Sequence, residues 1–259
     1  MEILLFSISA LPVIIIGWFV WYKDKEKEPK ELLAKLFCGG VLSCFLVFAL
    51  TFGLRLFFPF FGEDMSTLNL FQLMISVFIG IALVEEVSKW LFTYKMSYND
   101  REFDHIYDAI VYAVFVALGF AFYENLLYVF SGGMSVGFMR TVTAVPAHAS
   151  FGVIMGYYLG LAKQSTINKR LDLAKKYKIM SIIAPTLLHG LYNYCIFTER
   201  PLFILLFFVV LVGLYALSFK KINQLTSINR KMQYKDNFCP NCGQVVDSCF
   251  CPYCGKKHN

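Results

Sequence analysis

Six candidate side chains, Glu85, Glu86, Glu124, His148, His189 and Asn193, sit in strongly apolar stretches of this 259-residue chain. They occur in four places: Glu85-Glu86-Val87-Ser88-Lys89, then Phe120-Ala121-Phe122-Tyr123-Glu124, then His148, then His189-Gly190-Leu191-Tyr192-Asn193. Carboxylates, imidazoles and an amide support three kinds of chemistry. A carboxylate in a low-dielectric pocket can take a proton from water, while His148, His189 and Asn193 hold the oxyanion that forms as the water attacks an amide. Glu and His can instead ligate zinc or iron. The helical His-Glu-x-x-His pattern is absent, so a metal would need ligands from several helices. A Glu/His chain can also relay protons or ions through a membrane. Spacing narrows the geometry. Glu85 and Lys89 are four residues apart on one helical face, as are His189 and Asn193. Glu85 and Glu86 point roughly 100° apart, which predicts one at the reacting centre and the other in a structural contact. Tyr123 and Asn125 read as packing and polar glue.

A second chemical signal lies near the C-terminus. Cys239-Pro240-Asn241-Cys242-Gly243 and Cys251-Pro252-Tyr253-Cys254-Gly255 are two matched Cys-x-x-Cys knuckles with eight residues between Cys242 and Cys251. Four thiolates at that spacing suit one tetrahedral zinc ion with no open position, a structural site. Redox dithiols or disulfides fit less well in a tail on the cytoplasmic side. So short a segment has no core of its own, and zinc would supply its folding energy. Cys249 reads as a bystander able to exchange with Cys251, and His258 as a weaker competitor.

The elements that position the first group follow from composition. The chain is 58% hydrophobic and 16% charged, against ~45–50% and ~25% in soluble domains. This excludes an ordinary soluble enzyme, a disordered chain and a nucleic-acid binder. Spans of ~20 apolar residues are predicted at 3–22, 36–60, 70–94, 107–130, 141–162, 179–198 and 201–219. In lipid these must be helices. The expected architecture is an all-α polytopic membrane protein: a bundle of about seven transmembrane helices over 1–219, a basic linker or juxtamembrane helix over 220–236, and a small zinc ribbon over 237–259. The first span carries Glu2 ahead of it and Lys23, Lys25, Lys27 and Lys30 behind it, the reverse of a signal peptide. Lys and Arg number five in 23–35, two in 95–106, six in 163–178 and seven after 219. Only Arg55, Arg140 and Arg200 fall on the other side. That partition predicts an extracytoplasmic N-terminus and a cytoplasmic C-terminus. The 163–178 loop reads as a topology signal and phospholipid contact. On this topology Glu124 and His148 lie toward the outer ends of their spans, and the site would open most easily to the extracytoplasmic side.

An ionisable group inside a span costs on the order of 2.5–3.5 kcal/mol on insertion scales. Four successive spans that each carry polar groups therefore should turn them inward, toward water and one another. In this order, Glu85-Glu86-x-x-Lys89, Phe120-x-x-x-Glu124, His148 and His189-x-x-x-Asn193 resemble the PrsW family of intramembrane proteases, relatives of the CAAX prenyl endopeptidases and bacteriocin-immunity proteins. The resemblance covers roughly 70–200. It implies cleavage of a membrane-anchored protein near the outer face of a bacterial cell membrane, with an anti-sigma factor as the substrate class. The family has been described as metalloproteases, whereas its CAAX-type relatives look like glutamate-activated hydrolases. Asn193, a poor metal ligand and a good oxyanion donor, favours the glutamate mechanism; a metal-dependent version of the same site remains the alternative. The ribbon lies outside the family pattern and leaves room for a cytoplasmic partner. A non-catalytic scaffold or receptor that recruits a partner through the ribbon is the competing function, and it would tolerate Glu85→Ala. Transport is disfavoured because the sequence has no internal repeat.

Overall fold

The computed structural model describes residues 2–228, 232, 239, 241, 242, 244, 246 and 250–257. Cys249 and His258 lie outside the described residues. The helices are α1 (Glu2–Lys23), α2 (Lys30–Phe57), α3 (Leu70–Ile75), α4 (Val84–Ser97), α5 (Ile106–Val142), α6 (Ala144–Ile167), α7 (Leu171–Phe197) and α8 (Pro201–Ile228). A π-helical stretch, Ser76–Leu83, joins α3 to α4 into one continuous rod. No β-strand occurs among the described residues; an isolated bridge pairs Phe250 with Lys257. The protein is an all-α polytopic membrane protein. Each predicted span falls on a helix.

Six stretches are apolar and long enough to cross a membrane, and the fourth, Ile106–Ile167, is 62 residues long. As one straight helix it would measure about 93 Å, some three times the hydrocarbon thickness. The chain divides it twice. Gly133 takes φ 77°, ψ −167° inside α5, a left-handed backbone open to glycine, and Thr143 breaks the path before α6. The stretch therefore holds two helices, α5 and α6, packed against each other. The basic stretch expected as a linker from 220 begins inside α8, which continues to Ile228.

With no hydrophobic drive between helices in lipid, close backbone approach and polar contacts hold the bundle. A methyl at Gly40 of α2 would lie 2.0 Å from the Val116 carbonyl oxygen of α5, and one at Gly119 of α5 would lie 2.0 Å from that of Phe37. These two glycines bring α2 onto α5. α6 is the central helix, buried against α5, α7 and α8. The ribbon segment rests on the bundle: Tyr177 Oη donates to the Cys242 carbonyl at 2.7 Å, and Gln224 Nε2 donates to that of Pro252 at 2.7 Å.

Candidate active site

Glu85 and Glu86 open α4 directly after the π-helical stretch. A π turn widens the helix and is frequent at functional sites. Phe78 from this stretch packs at Gly190 of α7, where an added methyl would lie 2.4 Å from a Phe78 ring atom. A larger residue at 190 would hold α7 away. The glycine therefore lets His189, the residue before it, reach α4.

All six sequence-predicted residues meet in one cluster. Glu86 Oε1 lies 2.9 Å from His189 Nδ1 and 2.5 Å from Lys89 Nζ. Glu124 Oε2 lies 2.9 Å from His148 Nε2. Lys89 Nζ is 3.2 Å from His148 Nδ1, which ties the two Glu–His pairs together. Glu85 Oε2 stands 3.9 Å from His189 Nε2 and 3.8 Å from Lys89 Nζ. Asn193 Nδ2 is 3.1 Å from His189 Nε2. A carboxylate only accepts, so Glu86 fixes the proton of His189 on Nδ1, and Glu124 that of His148 on Nε2. Phe151 stacks on His189 with ring centroids 4.7 Å apart, and Lys89 Nζ sits 4.5 Å over the Phe120 ring. Glu86, Lys89, His148 and His189 are buried.

Glu85 and Glu86 both flank Lys89 and His189. Lys89 pairs with Glu85 at i,i+4, at 3.8 Å, and more closely with Glu86 at i,i+3, at 2.5 Å. Glu85 is thereby left the less engaged acid. Its Oε2 is buried without a hydrogen-bond partner, as is Oε2 of Glu86, but Glu86 spends its other oxygen on both Lys89 and His189.

Arg140 was missed. Its charge read only as a topology signal. In a straight helix it would stand about 24 Å beyond Glu124, but the turn at Gly133 folds the chain back. Arg140 Nη2 donates to Glu124 Oε2 at 2.7 Å, and Nε donates to Asn125 Oδ1 at 3.1 Å. The guanidinium also covers the Tyr128 ring at 3.9 Å. The Gly132-Gly133 pair was the available signal.

A cavity of about 650 Å³ opens between α2, α4 and α5. Glu85 and Glu124 form part of its wall, with Arg55, Tyr123 and Ser131. The cluster lies nearer the bundle end that carries the Phe58–Asn69 and Thr198–Arg200 connections: His148 is in the second turn of α6, and His189 is eight residues from the end of α7.

Donor chemistry also suits a metal. Glu85, His148 and His189 each offer a ligand atom, all within 4.8 Å of one another. A His₂Glu set binds catalytic zinc, and a carboxylate behind each ligating imidazole is the usual support. Lys89 Nζ, however, already places a fixed cation beside two of the three donors. In the tail, Cys239, Cys242, Cys251 and Cys254 form a second set within 4.8 Å. Their Sγ pairs at 3.6 and 3.5 Å match the edge of about 3.8 Å that follows from tetrahedral zinc with Zn–S bonds near 2.3 Å.

A helical membrane bundle with carboxylates, imidazoles and an amide gathered on a cavity is the architecture of a membrane-embedded hydrolase. A family model described as PrsW family intramembrane metalloprotease matches residues 28–217. Protease PrsW of Oceanobacillus iheyensis is 36% identical over 227 residues, which cover 86% of this chain and 98% of that protein. Protease PrsW of Clostridioides difficile is 31% identical over 240 residues, 90% and 95% of the two chains. That of Bacillus subtilis is 31% identical over 224 residues, 86% and 96%. The chain belongs to the PrsW family of intramembrane proteases. No solved structure matches it. The cysteine knuckles lie beyond the matched region.

Proposed function

We propose that the protein hydrolyses a peptide bond of a membrane-anchored protein, of the anti-sigma-factor class, with Glu85 as general base. The carrying observation is the Glu85 carboxylate: buried, with Oε2 lacking a hydrogen-bond partner, on the wall of a cavity large enough for an extended peptide. A water held there gives its proton to Glu85 and attacks the scissile carbonyl. The oxyanion accepts a hydrogen bond from one Asn193 Nδ2–H, while the other is held by the Nε2 lone pair of neutral His189, whose Nδ1–H donates to Glu86. Glu85 then returns its proton to the leaving amine. Glu86, Glu124 and Arg140 position the imidazoles and touch no reacting atom. The cluster sits toward the extracytoplasmic face, with the N-terminus outside and the C-terminus in the cytoplasm, as the basic-residue partition supports. The four cysteines hold a structural zinc, and the ribbon offers a surface for a cytoplasmic partner.

Glu85→Gln keeps the side-chain volume and should lower cleavage by ~10²–10⁴. The measurement compares membrane proteomes, in which an uncut membrane-anchored protein accumulates in the variant. Full activity of Glu85→Gln would remove Glu85 from the role of general base.

The proximity of ligand atoms on Glu85, His148 and His189 favours a second mechanism. A divalent ion held by these three residues would supply a polarised water. Glu86 would then hold His189 Nδ1–H, and Glu124 His148 Nε2–H. Chelator sensitivity in Cys239→Ser, whose ribbon zinc is already lost, separates the two. Unchanged cleavage supports the glutamate base; abolished cleavage makes the same residues ligands.

A further inference from the structure

A second buried acidic group lies at the opposite end of the bundle, away from the catalytic cluster. Asp24 and Glu28 belong to the connection between α1 and α2, and Asp108 to the first turn of α5. Their residues are 5%, 6% and 0% exposed. Each offers an oxygen, and the three lie within 4.8 Å of one another.

Part of this group has an ordinary explanation. Asp108 Oδ2 accepts from the backbone N–H of Asp104 at 3.0 Å and of His105 at 2.6 Å, which caps α5. Tyr112 Oη, one turn along, donates to Glu28 Oε2 at 2.5 Å. Those contacts leave two oxygens on different elements unexplained. Asp24 Oδ2 and Asp108 Oδ1 are both buried and have no hydrogen-bond partner. Orphaned carboxylate oxygens are costly, and the two residues that carry them are close neighbours.

Lys27 and His105 offset part of the Asp24 charge, but neither hydrogen-bonds the two orphaned oxygens. Lys27 Nζ donates to the carbonyls of Trp21 and Tyr22, both at 2.8 Å, and to that of Asp24. It closes the end of α1. His105 Nδ1 lies 2.6 Å from Asp104 Oδ1 and 3.9 Å from Asp108 Oδ2, and its Nε2 lies 3.8 Å from Glu26 Oε1. Around the trio, Glu26, Glu102 and Asp104 add further negative charge.

We propose that Asp24, Glu28 and Asp108 bind one oxygen-seeking divalent cation, magnesium or calcium, which ties the α1–α2 connection to the start of α5. An all-carboxylate donor set selects hard cations and is indifferent to zinc-type softness. The ion faces the two orphaned oxygens and removes their cost. The site is separate from the cysteine set and from the catalytic cluster, and the family model begins at residue 28, so Asp24 lies outside it. The rival account is protonation. Burial pushes the Asp24 carboxyl up to about 6 and that of Glu28 up to about 7, and protons alone would then neutralise the trio.

Mn²⁺ serves as the probe, because its EPR signal reports binding directly and it prefers oxygen donors. Full-length protein in detergent, with zinc retained and other divalent ions removed, is titrated with Mn²⁺. The expected result is about one site per chain that Mg²⁺ or Ca²⁺ displaces; the better competitor identifies the ion. Glu28→Gln should weaken Mn²⁺ binding beyond the ~10–100-fold typical of losing an outer contact, and Cys239→Ser should leave it unchanged. Asp108→Asn should do as Glu28→Gln does. Should it fail to fold because it loses the α5 cap, Glu28→Gln, which lies outside any helix, still decides. No Mn²⁺ bound at about 1 mM, the weak limit for such sites, would overturn the proposal in favour of protonation. So would undiminished binding in Glu28→Gln, or a loss confined to Glu85→Gln, which would put the ion in the active site.

Discussion

Two trios of carboxylates are buried in this bundle, one toward each end, and the chain neutralises them differently. Glu85, Glu86 and Glu124 are met by Lys89, Arg140, His148 and His189, all supplied by the helices themselves. Asp24, Glu28 and Asp108 are met by backbone amides and one tyrosine, while the nearest lysine closes a helix end. Fixed basic side chains hold Glu86 and Glu124 in place and leave Glu85 with a free oxygen, the arrangement a general base needs. Where no basic side chain hydrogen-bonds the orphaned oxygens, the proposed exchangeable cation would complete the pairing. The first arrangement suits chemistry and the second suits a removable tie between segments.

Removing fixed cations should sharpen this contrast. Lys89→Met strips the buried partner from Glu86, and breaking a buried pair in this way typically costs ~3–5 kcal/mol. The expected result is a large drop in the thermal midpoint of the detergent-solubilised protein. A midpoint within error of wild type would mean that Glu86 does not depend on Lys89. Asn193→Ala should cut cleavage by ~10²–10³ with the fold intact, the loss typical of one oxyanion donor; initial rates on a membrane-anchored substrate measure it. An unchanged rate would remove Asn193 from the oxyanion site.

Arg140→Gln loses a charged hydrogen bond to Glu124, worth roughly 1.5–3 kcal/mol. Arg140→Lys should recover part of it in the same melt, because the charge returns without the two-point contact. Equal destabilisation by Gln and Lys would indicate that shape, and not charge, matters there. The smallest effect belongs to the other trio. Lys27→Met removes a cation at a helix C-terminus, worth ~0.3–1 kcal/mol. A loss as large as that of Lys89→Met would break the comparison, because Lys27 would then be neutralising the carboxylates.

Much of the fold is local and so is legible in sequence. Apolar length fixes the helices, since lipid offers no other partner for the backbone. Lys and Arg between the spans carry the orientation signal for the same local reason. The PrsW motifs were readable because their residues are polar where a span should not be, and the cysteine knuckles because their spacing is short. Partner choice is not local. Glu85 and Glu86 are adjacent and chemically identical, and only the position of Lys89 and of His189, 103 residues from Glu86, decides which is spent.

Arg140 shows the same division of labour. Its sequence position says that it lies beyond a span; the left-handed turn at Gly133 alone returns it to Glu124. The trio of Asp24, Glu28 and Asp108 escaped the sequence altogether, because each residue looks like an ordinary polar residue at a span end. The packing of α5 against the α1–α2 connection buries all three together, with Tyr112 reaching Glu28 across 84 residues. Hydropathy and spacing determined which segments cross the membrane and which residue types lie within them. The close approach of α7 at Gly190 and the turn at Gly133 decided which charges meet, because electrostatic pairing depends on distances of a few ångströms that no local pattern encodes.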